Sequence, residues 1–160
     1  MSDDFATLAA RMSKIANAVE LDISDLTNEI SLAILADVSK DTPVDVGTAR
    51  SNWQVSLNGP ESGVRPARAP WPSRWRPPYA DPGTTKSETR NQAGVVWAGA
   101  AVVRGRRPEQ AVYITNNVPY IGPLNAGHSP QSAAGWIERG VASGRSRAIR
   151  EFKFKNLRRL

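Results

Sequence analysis

Cysteine is absent from all 160 residues, histidine occurs once and methionine twice. With no thiol, disulfides, thiolate metal sites and a cysteine nucleophile are excluded together, and a reducing compartment such as the cytoplasm is expected. No run of eighteen apolar residues exists, and Met1-Ser2-Asp3-Asp4 is acidic where a secretion signal is basic and then apolar. The expectation is therefore a chain that neither spans a membrane nor is exported. The single histidine, His128, sits in a Gly-His-Ser-Pro turn. General-base catalysis and metal ligation both need partners at defined geometry, and none accompanies it. The helical His-Glu-x-x-His pair, the Gly-x-x-x-x-Gly-Lys phosphate loop and the Gly-x-Ser-x-Gly elbow are missing too. No enzymatic activity, catalytic residue, metal site or cofactor is expected.

The length fits one domain spanning residues 1–160, large enough to bury roughly 70% of the surface its unfolded chain exposes. Its net charge of +6 is unevenly placed: residues 1–50 carry −5, residues 51–160 carry +11. Such a two-ended chain suits nucleic acid, an acidic partner, or copies of itself stacked acidic face to basic face.

Phe5, Leu8, Met12, Ile15, Val19, Ile23, Leu26, Ile30, Ile34 and Val38 recur every three or four residues. This is the apolar stripe of an amphipathic helix over residues 3–40. Unbroken, it would be about 57 Å long at 1.5 Å per residue. A break at Asp22-Ile23-Ser24-Asp25, where short polar and β-branched residues compete with helix, is the alternative. The carboxylates Asp22, Asp25, Glu29, Asp37, Asp41 and Asp45 mostly alternate with the stripe, so they belong to a wet face rather than a converging metal site.

Thr42-Pro43 ends the helix, since proline disfavours helical geometry in the residue before it. Gly47 then hinges a turn. Trp53, Val55 and Leu57 alternate with polar neighbours as in a half-buried strand. Gly94–Val103 and Ala111–Asn116 are two further strand candidates. The fold class expected is α+β, with the long helix packed on a small, mainly antiparallel sheet, a long Pro-rich loop, and a second helix near the C-terminus.

The Pro-rich loop, residues 59–90, holds 7 of the 12 prolines, six Arg or Lys, and Trp71, Trp75 and Tyr79. Prolines remove ladder donors and favour extended geometry, and a loop this long is usually functional or disordered. Its aromatics argue against a solvated linker. It reads as an arm that orders on a partner, with Trp71, Arg74, Trp75, Arg76 and Tyr79 as anchors.

Ser129-Pro130 has the form of an N-cap followed by proline in a first turn, placing the second helix over about 130–143. The tail, residues 145–160, carries seven basic residues against Glu151. Phe152 and Phe154 alternate with Lys153 and Lys155, so the alternatives are a continued helix or a short strand, and the two rings join the arm as candidate partner or subunit contacts. Arg104-Gly105-Arg106-Arg107 forms a basic turn between the second and third strand candidates. Arg104, Arg106, Arg107, Arg158 and Arg159 are the candidate phosphate contacts, in a sequence-independent mode.

Two blocks carry a resemblance. Asp41-Thr42-Pro43-Val44-Asp45-Val46-Gly47-Thr48-Ala49-Arg50-Ser51-Asn52-Trp53 resembles the T-P-V-D-T-G-x-x-R-x-x-W stretch of tail-completion or neck (head-tail joining) proteins of long-tailed bacteriophages. Tyr120-Ile121-Gly122-Pro123-Leu124-Asn125-Ala126-Gly127-His128-Ser129-Pro130-Gln131, followed by Trp136, is similar to that family's Y-x-x-x-L-N-x-G-x-S-x-Q and C-terminal helix. The residues matching the motifs have structural roles in this reading. Gly47 and Gly127 permit tight turns, Pro130 starts a helix, and Pro43, Asp45, Arg50, Asn125, Ser129 and Gln131 are further structural positions of the motifs. Trp53, Tyr120 and Trp136 close the core. The resemblance implies a structural virion protein, made in the host bacterial cytoplasm, that completes the tail or joins it to the head connector. It implies a ring of copies, a hexamer or dodecamer, touching connector or adaptor, tail terminator or tail tube proteins. The arm and the basic tail depart from the family pattern. A DNA-binding accessory protein using the basic two-thirds is the alternative.

Overall fold

A computed structural model describes residues 2–44, 47–65 and 86–159, with side chains from residue 4 in the first segment and from residue 92 in the last. The elements are α1 (Ser2–Asp41), α2 (Thr48–Ser51), β1 (Gln54–Ser56), α3 (Lys86–Arg104), β2 (Tyr113–Thr115), α4 (Ile121–Asn125) and α5 (Trp136–Glu151), followed by a 3-10 turn, Leu157–Arg159. The architecture is mixed α+β and mostly helical.

α1 is one continuous helix, about 60 Å long at 1.5 Å per residue. It passes through Asp22–Asp25, where the Asp22 carboxylate accepts from the C-terminal tail and the Ser24 hydroxyl from Arg106. Thr27 donates to the Ile23 carbonyl at 2.8 Å and Ser31 to the Thr27 carbonyl at 2.8 Å, the back-bonding that lets short hydroxyls sit inside a helix. The helix stops where expected, with the Thr42 hydroxyl donating to the Val38 carbonyl at 2.6 Å ahead of Pro43.

The principal partners of α1 are α5 and α3 rather than the sheet. α5 runs antiparallel to it at backbone contact. A Cβ on Gly144 would stand 2.6 Å from the Ile34 nitrogen, and one on Gly140 would stand 3.2 Å from that of Val38. Only glycine permits this approach. α3 packs its Gly99 between Leu35 and Val55. Leu35, Val38, Trp53, Val95 and Trp136 form the core, with the two indoles edge to face at 6.4 Å.

Three sequence expectations change. Gly94–Val103 is helical, within α3, because its buried residues Val95, Gly99 and Val103 are spaced by four while Trp97 and Ala101 face outward. The adjacent Val95-Val96-Trp97 imitates a strand only locally. The sheet consequently has two strands among the described residues, antiparallel, with Val55 opposite Ile114. The last helix begins at Trp136 after Gly135, whose φ is +76°, and runs into the stretch read as a tail. Pro130 lies in a turn instead, where Ser129 and Ser132 make an isolated bridge.

Candidate interaction surfaces

The two motif blocks meet. The Gln131 amide accepts from the Val44 nitrogen at 2.8 Å and donates to the Val44 carbonyl at 2.8 Å, the pairing a neighbouring strand would otherwise supply. Ser132 donates to the Asp41 carbonyl at 2.9 Å. Within the first block, Arg50 donates to the carbonyls of Lys40 and Thr42 at 2.9 and 2.8 Å, and the Trp53 indole donates to the Thr42 hydroxyl at 2.8 Å. Gly47, at φ +83°, makes the turn that brings these groups back to the end of α1.

Within the second block, Asn125 works as a splint. Its side-chain oxygen accepts from the Ile137 nitrogen at 2.9 Å, serving a free donor at the start of α5, and its NH2 donates to Glu138. This hydrogen bond holds the Glu138 carboxyl below its ordinary range. The Trp136 indole donates to the Leu124 carbonyl at 3.1 Å, Gly127 takes φ +93°, and the Ser129 hydroxyl accepts from the Gln131 nitrogen at 3.2 Å. Between the blocks lies a cleft of about 270 Å³ lined by Pro43, Val44, Tyr120, Leu124, His128 and Pro130. Tyr120 is exposed on its rim rather than in the core. Asp45 lies outside the described residues, as do Trp71, Arg74, Trp75, Arg76 and Tyr79 of the expected arm.

The basic residues divide. Arg106, read as a phosphate contact, is buried and its guanidinium is committed within the fold. Nε donates to Asn28 at 2.8 Å, Nη2 to the Ser24 carbonyl and hydroxyl, and Nη1 to the carbonyls of Arg107, Pro108 and Gln110. It fastens the turn after α3 onto the middle of α1. Arg104, Arg107, Arg158 and Arg159 are exposed, with Arg107 lying 3.4 Å from Glu109.

Three of the carboxylates assigned to a wet face are engaged instead, Glu29 lying 3.8 Å from Lys155. Asp37 pairs with Arg147 of α5 at 2.6 Å. Asp22 is 1% exposed and clasps the C-terminal tail: Oδ1 accepts from the Lys155 and Asn156 nitrogens and the Asn156 amide, and Oδ2 from the Leu157 nitrogen, all at 2.9–3.1 Å. Burial pushes this carboxyl up, but the N–H groups of Asn156, Leu157 and Lys155 and the Asn156 amide outweigh it, so it lies below its ordinary 3.8. The tail before the clasp is non-helical, and Phe152 and Phe154 stack edge to face at 5.3 Å. Sequence reasoning missed the clasp, although a signal was there. Asp22 stands in the seven-residue rhythm of Ile15, Val19 and Leu26, where an apolar residue belongs.

The last surface is the first half of α1. Every side chain from Asp4 to Asn17 is exposed, and among the described side chains of the helix Ala18 is the first buried one. Among the described residues no helix is long and apolar enough to cross a membrane, and no group of three His, Asp or Glu is placed to hold a metal. No family model, curated protein or solved structure matches the chain.

Proposed function

We propose that the chain is a structural subunit of the neck or tail end of a bacteriophage virion, assembling as a ring that completes the tail or joins it to the head connector. The observation that carries this reading is the junction of the two motif blocks through Gln131 and Val44. Residues 87 positions apart whose pattern resembles the tail-completion family form one unit, and their polar groups hold backbone to backbone. Arg50, Trp53, Asn125, Gln131 and Trp136 all spend side-chain hydrogen bonds inside the fold. A scaffold of this kind presents surfaces; its motif residues are occupied in building it. Its partners in this reading are copies of itself and connector, adaptor, terminator or tube proteins of the same particle.

The test is to locate the chain by electron microscopy in intact virions of the phage that encodes it. Density at the head-tail junction or the tail end is the expected result, and absence from the particle would overturn the reading.

A second reading, contact with passing DNA, is favoured by the exposed Arg104, Arg107, Arg158 and Arg159. It requires duplex binding that weakens steeply as salt rises from about 50 to 200 mM. Absence of binding at low salt removes it.

A further inference from the structure

The apolar stripe of α1 is uniform in sequence, but the fold covers only part of it. Near Ile34 and Val38 the helix lies against Gly144 and Gly140 of α5. α5 ends at Glu151, and the tail is fixed at Asp22, so the described residues leave the first turns of α1 bare. Phe5 is 75% exposed and Met12 63%, with Leu8 and Ile15 about half exposed beside them. Helices draw most of their stability in water from burying such a face.

The spacing of this row specifies what fits it. Phe5, Leu8, Met12, Ile15 and Val19 follow one another by three, four, three and four residues, the a and d rhythm of a coiled coil. The flanking positions are Asp4 and Arg11 on one side and Ala9 and Ala16 on the other. Two copies side by side, parallel and in register, match every apolar level and set Asp4 against Ala9 and Arg11 against Ala16, with no like charges opposed. An antiparallel pair centred on residue 10 also matches apolar levels, Phe5 on Ile15 and Leu8 on Met12. It places the two Arg11 side chains beside each other, and charges at these flanks set orientation. A lipid surface fits less well. Residues 2–21 hold Arg11 and Lys14 against Asp3, Asp4 and Glu20, whereas helices lying on membranes carry a polar face rich in Lys and Arg.

We propose that residues 4–19 of α1 pair, parallel and in register, with the same segment of a second copy. The proposal rests on reading the chain as an assembly subunit and names the element through which copies meet. Such a contact is isologous and closes on itself as a two-fold pair, so a ring of this subunit would be built from these pairs through a second, different contact.

The absence of cysteine makes the geometry testable in the full chain. Leu8→Cys, Met12→Cys and Ser143→Cys each introduce a sole thiol, the last on an exposed position of α5. On mild oxidation, Leu8→Cys alone and Met12→Cys alone each give covalent dimer, and Ser143→Cys stays at the collision background. Met12→Glu abolishes association in sedimentation while the helical circular dichroism is kept, since the exposed Met12 serves no core of its own subunit. The proposal is overturned if the chain sediments as a monomer at every concentration, or if Ser143→Cys links as well as the others. It is equally overturned if Leu8→Cys and Met12→Cys link only to each other in a mixture. A monomeric chain found at the virion neck sinks the pairing and leaves the virion reading standing. Cross-linking by a chain absent from virions does the reverse.

Discussion

Gln131 closes both hydrogen bonds of its amide on the backbone of Val44, each at 2.8 Å, and so joins the end of α1 to the loop before α5. One donor and one acceptor on each side are satisfied by a single flat contact. Asparagine carries the same amide but is one carbon shorter, and a carboxyl offers the donor only when protonated.

Gln131→Ala therefore leaves the Val44 N–H and carbonyl without these partners and is expected to lower unfolding stability by about 1–3 kcal/mol. Gln131→Glu removes only the donor. Its deficit should shrink as pH falls and the new carboxyl protonates, because the acid form carries an O–H to offer Val44. Urea unfolding midpoints for both variants, at neutral and at acid pH, check the pair; equal deficits at both pH values for Gln131→Glu would contradict it.

Asp22→Ala removes the acceptor for four N–H groups of the tail. The expected effect is local: amide exchange at Asn156 and Leu157 accelerates while that of the core around Leu35 is unchanged. The same release is expected on acidification. The folded carboxyl lies below its ordinary 3.8, so the clasp is fully present above that value and is lost as pH falls through the folded value. Exchange protection of the tail that is constant from neutral to strongly acid pH would refute this.

Gly144→Ala should cost about 1–3 kcal/mol or more by forcing α5 away from the backbone of Ala33 and Ile34, despite the better helix propensity of alanine. Gly122→Ala is the matched contrast, with nothing within 4 Å of the added carbon and a helical position in α4. It should be neutral or stabilising. Denaturant midpoints that fall equally for both would show that α1 and α5 are not held at backbone contact.

Arg106→Ala should destabilise by about 3 kcal/mol, since hydrogen bonds to charged groups are each worth about 1.5–3 kcal/mol and several are lost at once. It should leave any salt-dependent DNA binding unchanged in slope. Arg158→Ala with Arg159→Ala should do the opposite, sparing stability and flattening the slope if phosphates are contacted there. Thermal melts and salt titrations of the same variants separate the two effects.

The legible parts of the sequence were those with local causes. The α1 stripe, its stop at Thr42-Pro43, the turn at Gly47 and the strands around Val55 and Ile114 each follow from a few neighbouring residues. α3 imitates a strand because Val95-Val96-Trp97 has strand composition, and only the spacing of Val95, Gly99 and Val103 by four residues reveals the helix. The clasp at Asp22 and the anchoring of Arg106 on Ser24 and Asn28 join residues 78 to 135 positions apart. Nothing local marks such pairs, and a charged residue in a periodic pattern reads by default as solvated.

From Phe5 to Leu35 the helix rises about 45 Å, and it is gripped by the fold only from Ala18 onward. Mechanically α1 is a cantilever. A sideways load on the free end acts on the body of the subunit with a moment arm longer than the bare segment, and Asp22, Ser24 and Asn28 stand at the fulcrum. The polar fastenings of the tail and of Arg106 are thus where a push on the tip of the rod is first resisted. The glycine contacts of α5 behind them take the reaction force.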